Sequence, residues 1–182
     1  IQHAHGQLYS FPFIPRRLEL KANSFTDYYL ANRSCLVCDL LKDESYGRNT
    51  IFETAGFMAV VPYFSRFPYE VHLYPKRHVA SVIDLIASEK RDLAYSIRHT
   101  VRLYDSIYNQ EFPYMMTLYN PPVNTGRTYD DSYHFHIEFY PPKRAKDKLK
   151  WMASVETGTW AFVNPAEPEE IADFLRKVEV KI

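Results

Sequence analysis

The sequence predicts an α+β domain: an antiparallel sheet with flanking helices. Short strand-like segments follow one another without a crossover helix between every pair, which suits antiparallel pairing better than a βαβ series. His134 to Tyr140 alternates, with His134, His136, Glu138 and Tyr140 on one side and Phe135, Ile137 and Phe139 on the other. Leu93, Ile97, Val101, Tyr104 and Tyr108 recur at helical spacing within one long segment.

Taken in order, His3, His5 and Gln7 share a face if the first residues are extended, and Pro12 and Pro15 break that run. Asn23 to Leu41 reads as helical in part, with Cys35 and Cys38 towards its end. Ile51 to Phe52 and Phe57 to Val61 read as a strand pair around Gly56, and Glu70 to Tyr74 as a further strand. Ser88 is placed to cap a helix running to Tyr108. Tyr114 to Tyr119 reads as a strand, and Asn120 to Asp131, rich in Pro, Asn, Gly and Asp, as a loop. Pro168 with Glu169 and Glu170 starts a last helix that reaches Val178.

Composition narrows the function. Twenty-two Lys and Arg balance 22 Asp and Glu in 182 residues, so nothing suggests non-specific nucleic-acid or membrane-surface binding; a small anionic substrate needs only a local site. No apolar stretch of about 20 residues marks a transmembrane helix. Fifteen Tyr, 12 Phe and 2 Trp favour β-rich structure with large packed surfaces over a coiled coil. The chain opens on Ile1 and at once on a His-rich polar cluster, which points to a start inside a longer chain.

Two segments repeat. His3-Ala4-His5-Gly6-Gln7-Leu8-Tyr9 and His134-Phe135-His136-Ile137-Glu138-Phe139-Tyr140 both fit H-x-H-x-[Q/E]-[L/F]-Y, 131 residues apart. A duplicated domain is the economical account. Residues 1–20 would end the first copy, residues 21–182 would be nearly all of the second, and the whole protein would exceed roughly 300 residues.

The chemistry-bearing residues fall into three sets. Cys35 and Cys38, spaced C-x-x-C, suit half of a zinc site, a redox pair, a disulfide or two small buried apolar residues. His78 and His134 would complete a tetrahedral set of two thiolates and two imidazoles. His72, inside an apolar strand, and His99, on a charged helix stretch, read as structural or surface residues. In the second set, His5 suits nucleophilic attack on phosphorus, Gln7 two residues on can donate to a phosphoryl oxygen, and His3 can bind a metal or orient the site. A plain surface strand or metal pair is the blander alternative. The third set is the basic run Lys143, Arg144, Lys146, Lys148 and Lys150. It reads either as a solvated stretch or as a contact to a sugar phosphate, with Glu156 and the Gly158 turn beside it suited to sugar hydroxyls.

These residues resemble the galactose-1-phosphate uridylyltransferase family of the histidine triad superfamily. The segments that carry the resemblance are His3-Ala4-His5-Gly6-Gln7, Phe11-Pro12-Phe13-Ile14-Pro15, Val60-Val61-Pro62-Tyr63, Pro75-Lys76-Arg77-His78 and Glu138-Phe139-Tyr140-Pro141-Pro142. Ala4 departs from the family's His-Pro-His-Gly-Gln, at a position pointing to the opposite strand face. The resemblance implies two histidine-triad-like halves, with His5 as the nucleophile that takes up a uridylyl group and Gln7 contacting the phosphoryl group. It implies that His3 is a zinc ligand completed by the first half, and that Lys150 and Glu156 lie where the family contacts the hexose. It supports a second zinc on Cys35, Cys38, His78 and His134, repeating the pattern of the first half. Some members carry iron in the second half on one Glu and three His. Those positions fall near Lys21 and on Tyr119, His136 and Glu138, where only His136 keeps its residue type.

The expected function is therefore transfer of UMP from UDP-glucose to galactose 1-phosphate by a ping-pong route. The alternatives are a related transferase or phosphorylase using ADP-glucose, a histidine-triad hydrolase with His136 as nucleophile, and a metal-stabilised half that serves dimerisation and sugar contact. Thiolate ligands suit a reducing, cytoplasmic compartment. Family resemblance and the aromatic excess suggest a homodimer.

Overall fold

A computed structural model describes residues 5–180. Pro15 opens the first helix, α1 (Arg16–Asn32), its carbonyl accepting the Leu18 N–H at 2.8 Å and the Glu19 N–H at 3.0 Å. Arg33, left-handed at φ 54°, stops it, and the chain re-enters a helix one turn later as α2 (Leu36–Lys42) with Cys35 at the N-cap position. The stretch expected to be helical in part, Asn23 to Leu41, thus spans two helices, and the first begins before it. The expected division after residue 20 falls inside α1, whose Arg17 already bonds Glu138 and Tyr140. A short turn, α3 (Glu44–Gly47), leads into the sheet.

The sheet has five antiparallel strands: β1 (Thr50–Glu53), β2 (Phe57–Val60), β3 (Val71–Pro75), β4 (Met115–Tyr119) and β5 (His136–Tyr140), in the order β1-β2-β3-β5-β4. Gly56 in the β1–β2 turn donates its N–H to Asp92 at 2.7 Å. A Cβ there would lie 2.9 Å from the same carboxylate, so any other residue would push the Asp92 side chain away from this bond.

The sheet's register makes two faces. Phe57, Ala59, Val71, Leu73, Ile137 and Phe139 pack under the long helix α4 (Ala87–Tyr108), through Leu93, Leu103 and Tyr104. They also meet the last helix, α6 (Pro168–Lys177), through Ala172 and Leu175. The other face carries Val60, Tyr74 and, flanking β5, Tyr133. It is covered by Ala22 and Phe25 of α1 and by Cys35 and Val37 at α2. Both faces of His134–Tyr140 are therefore buried.

α4 begins at Ala87, so Ser88 is not its cap. Glu89 reaches back to the Ile86 N–H at 2.9 Å, and Arg77 grips its two carboxylate oxygens at 2.8 Å each. The basic run folds as a small ribbon, β6 (Lys143–Ala145) and β7 (Lys148–Leu149), followed by α5 (Ser154–Thr159). Neither the ribbon nor α5 is announced by the sequence pattern.

Phe139 is fully buried, its ring 6.0 Å from Tyr104 and 5.6 Å from Tyr114. Phe139→Ala is expected to destabilise the protein by about 3–5 kcal/mol. Urea unfolding checks this: the midpoint should fall, and an unchanged midpoint would mean that this face is not the core.

Candidate functional site

Four side chains from three parts of the chain converge on one point beside the α1–α2 face. Cys35 and Cys38 sit three residues apart at the start of α2, His78 follows β3, and His134 immediately precedes β5. Their ligand atoms all lie within 4.8 Å of one another. His134 Nδ1 lies 3.5 Å from Cys35 Sγ and 3.6 Å from Cys38 Sγ, and His78 Nδ1 lies 3.5 Å from Cys38 Sγ. A tetrahedral ion bonded to sulfur at about 2.3 Å and to nitrogen at about 2.0–2.1 Å sets each sulfur–nitrogen edge at about 3.6 Å. The donor set matches that geometry.

The hydrogen bonds behind the imidazoles fit the same purpose. His134 Nε2 donates to the Pro75 carbonyl at 2.9 Å, and His78 Nε2 to the Asp130 carbonyl at 2.7 Å. Each leaves an Nδ1 lone pair facing the sulfurs, the orientation that outer-shell carbonyls give to metal-bound histidines. Asp130 lies in the loop expected from Asn120 to Asp131, so this loop closes the centre. A hydrogen bond from Cys38, with others from His134 and His78, holds the Cys35 thiol far below the usual thiol range. Sharing its proton with Cys35, and burial, push Cys38 up. The cysteines form no disulfide.

The other expected residues lie apart from this centre. His5 and Gln7 are exposed on an irregular segment before α1, where Gln7 accepts a hydrogen bond from Tyr9. Tyr9, Phe11 and Phe13 follow, largely exposed and packed on one another. His3 lies outside the described residues. Lys150 and Glu156 face each other at 2.7 Å, with their side chains 7% and 2% exposed. Glu156 also accepts the Ala153 N–H at 2.7 Å and the Val163 N–H at 3.2 Å. Its pKa falls to about 2, first because of Lys150. The pair ties α5 to the chain before it, and both side chains bond the Val163 backbone in the chain after it. His99 packs between Phe52 and Tyr95.

Sequence reasoning missed a charged cluster on the same sheet face. Cross-strand register sets His72 opposite Glu138 and Tyr119 opposite His136. Glu138 meets Arg17 and Arg66 at 3.1 Å each, and also Lys21 and Tyr140. Arg66 also binds Glu70 at 3.1 Å, and His72 Nε2 lies 2.9 Å from that carboxylate. Burial opposes ionisation of Glu138, but His72, His136 and Lys21 outweigh it and hold the carboxyl far below its usual range. His136 is 2% exposed. Its Nδ1 donates to the His134 carbonyl at 2.7 Å, and its Nε2 accepts from Lys21 at 2.7 Å. Burial, then Lys21, lower its pKa to about 4, so the ring is neutral near pH 7. The readable signal was a second alternation, Glu70-x-His72-x-Tyr74, with the same period as the β5 motif.

Comparison with known proteins places this arrangement. Residues 21–154 match the family model described as galactose-1-phosphate uridyl transferase, C-terminal domain. The galactose-1-phosphate uridylyltransferase of Thermotoga maritima is 48% identical over 182 residues, which is 100% of this chain and 57% of that protein. A solved uridylyltransferase mutant superposes with a TM-score of 0.84 at 30% identity, over 92% of this chain and 54% of that one. A zinc-bound histidine triad family protein from Mycobacterium smegmatis shares the fold, with a TM-score of 0.53 at 17% identity over 80% of this chain and 93% of that one. The chain thus spans about half the length of the curated relatives it matches. The fold is histidine-triad-like, and the chain belongs to the galactose-1-phosphate uridyl transferase C-terminal domain family.

Proposed function

We propose that this chain is the second half, with the active-site segment of the first, of an enzyme that moves UMP from UDP-glucose to galactose 1-phosphate. His5 attacks the α-phosphorus with an imidazole nitrogen, and the bond to the hexose 1-phosphate oxygen breaks, with its electron pair leaving on that oxygen. A second hexose 1-phosphate then attacks the uridylyl-histidine and returns the imidazole. Gln7 donates to the phosphoryl oxygens as charge builds. Lys150 and Glu156 complete the set as hexose contacts; tied to each other, they would meet a sugar hydroxyl as a pre-oriented ion pair.

One observation supports His5 above the rest. Of the two H-x-H segments, the first presents an exposed imidazole, whereas His136 of the second is buried with both ring nitrogens bonded. A hydrolase using His136 would have to break that packing.

The ion on Cys35, Cys38, His78 and His134 we take to be zinc, since a tetrahedral S₂N₂ set selects it. Its role is structural, because four protein ligands leave no open position. His3 would hold a second zinc with ligands from the first half. The relatives' length, the apolar Leu8–Phe13 segment, a reducing cytoplasmic compartment and a homodimer belong to the same proposal.

A covalent intermediate implies partial exchange. The full-length enzyme should incorporate labelled glucose 1-phosphate into UDP-glucose with no galactose 1-phosphate present. Absence of exchange while net transfer proceeds would contradict the route.

A further inference from the structure

The resemblance places iron, in some relatives, near Lys21 and on Tyr119, His136 and Glu138. The residues found here do not fit a metal. An ion needs lone pairs aimed at one point, and here that point holds an ammonium. Lys21 Nζ lies 2.7 Å from His136 Nε2 and is ion-paired with Glu138 Oε1. It also lies 3.5 Å from the centroid of the Tyr119 ring. Tyr119 presents its ring face, and its hydroxyl turns away to the Tyr140 hydroxyl at 2.9 Å. The other Glu138 oxygen is taken by Arg17, Arg66 and Tyr140.

We propose that the Lys21 ammonium is the resident cation of this cluster, brought in by α1 on folding, and that the cluster, unlike the Cys35, Cys38, His78 and His134 set beside it, therefore binds no divalent metal. The charge count agrees. Arg17, Lys21 and Arg66 already outnumber the carboxylates Glu70 and Glu138, and a divalent ion would add two more positive charges to a buried cluster. The neighbouring group Glu70, His72 and Glu138 also brings metal-type donors within 4.8 Å of one another, and Arg66 Nη2 sits 3.1 Å from each carboxylate. Both potential metal positions are thus filled by side chains. Arg17 and Lys21, one helical turn apart, bind Glu138 together and fix α1 on the sheet. His136 keeps a tautomer suited to metal ligation, but its Nε2 lone pair receives an N–H instead of an ion. This holds whichever nucleotide His5 carries.

Two measurements on the full-length protein test it. In brief acetic anhydride labelling of the native wild type, read by peptide mass spectrometry, Lys21 should react about tenfold or more slowly than the exposed Lys146 and Lys148. Equal reactivity would place Lys21 outside the cluster and overturn the proposal. Metal analysis of the wild type and Glu138→Gln should give the same equivalents, since Glu138 ligates none; one equivalent fewer in the variant would overturn it. If Glu138→Gln does not fold, the wild-type labelling decides alone.

Discussion

Replacing Cys35 with Ser is expected to remove one metal ion per chain and to loosen the face of the sheet that α1 and α2 cover. Structural zinc sites contribute about 10–16 kcal/mol of apparent binding free energy in small domains, and that energy is coupled to folding. A whole domain is stable by only about 5–15 kcal/mol. The core under α4 and α6 does not depend on the ion, so the loss should be partial. A loss of about 4 kcal/mol would already lower the melting temperature by roughly 10 °C. Cys35 and His134 are buried, and each anchors an element: the start of α2 and the entry to β5. A chelator should lower the melting temperature of the wild type more than that of the variant. Unchanged metal content in Cys35→Ser, or a native Cys35–Cys38 disulfide, would contradict the assignment.

Much of this was legible in the residues because period and punctuation are local. Alternation over His134–Tyr140 and the apolar spacing of α4 follow from side-chain direction alone, and Pro168 with two acids marks the start of α6. The C-x-x-C pair and two histidines were nameable as a set. Their meeting depended on β3 and β5 being neighbours, which local pattern does not encode. The charged cluster was harder to see, because Lys21 and Arg17 lie more than 110 residues from Glu138 in sequence. Ile86, not Ser88, stands at the N-cap, and Glu89, held by Arg77 from the turn after β3, reaches back to its N–H. Lys150 and Glu156 were both read as hexose contacts, yet each also takes the other as its partner. Their pairing depends on the turn of α5, which no periodicity announces.

His5→Ala should abolish transfer while leaving the fold intact. His5 is exposed and lies outside every helix and strand, so its loss should leave thermal unfolding unchanged. Removing a covalent nucleophile lowers turnover by a factor on the order of 10⁶ in well-studied enzymes, and the same order is expected here. Gln7→Ala, which removes one donor to the phosphoryl group, should lower turnover by roughly 10² to 10³. His136→Asn would act differently, by disturbing Lys21 and Glu138, and should show itself in stability. Steady-state transfer rates and melting curves on the same samples separate the two effects. A His5→Ala enzyme that retains more than a small fraction of its turnover would remove His5 from the chemistry.

The most direct test is to incubate the full-length enzyme with UDP-glucose alone, quench it, and map the modified peptide by mass spectrometry. The account predicts a uridylyl group on His5 and none on His136. An adenylyl group on His5 after incubation with ADP-glucose, with no uridylyl adduct from UDP-glucose, would keep the route and change the substrate. A nucleotidyl group on His136, or no adduct at all while turnover persists, would contradict it.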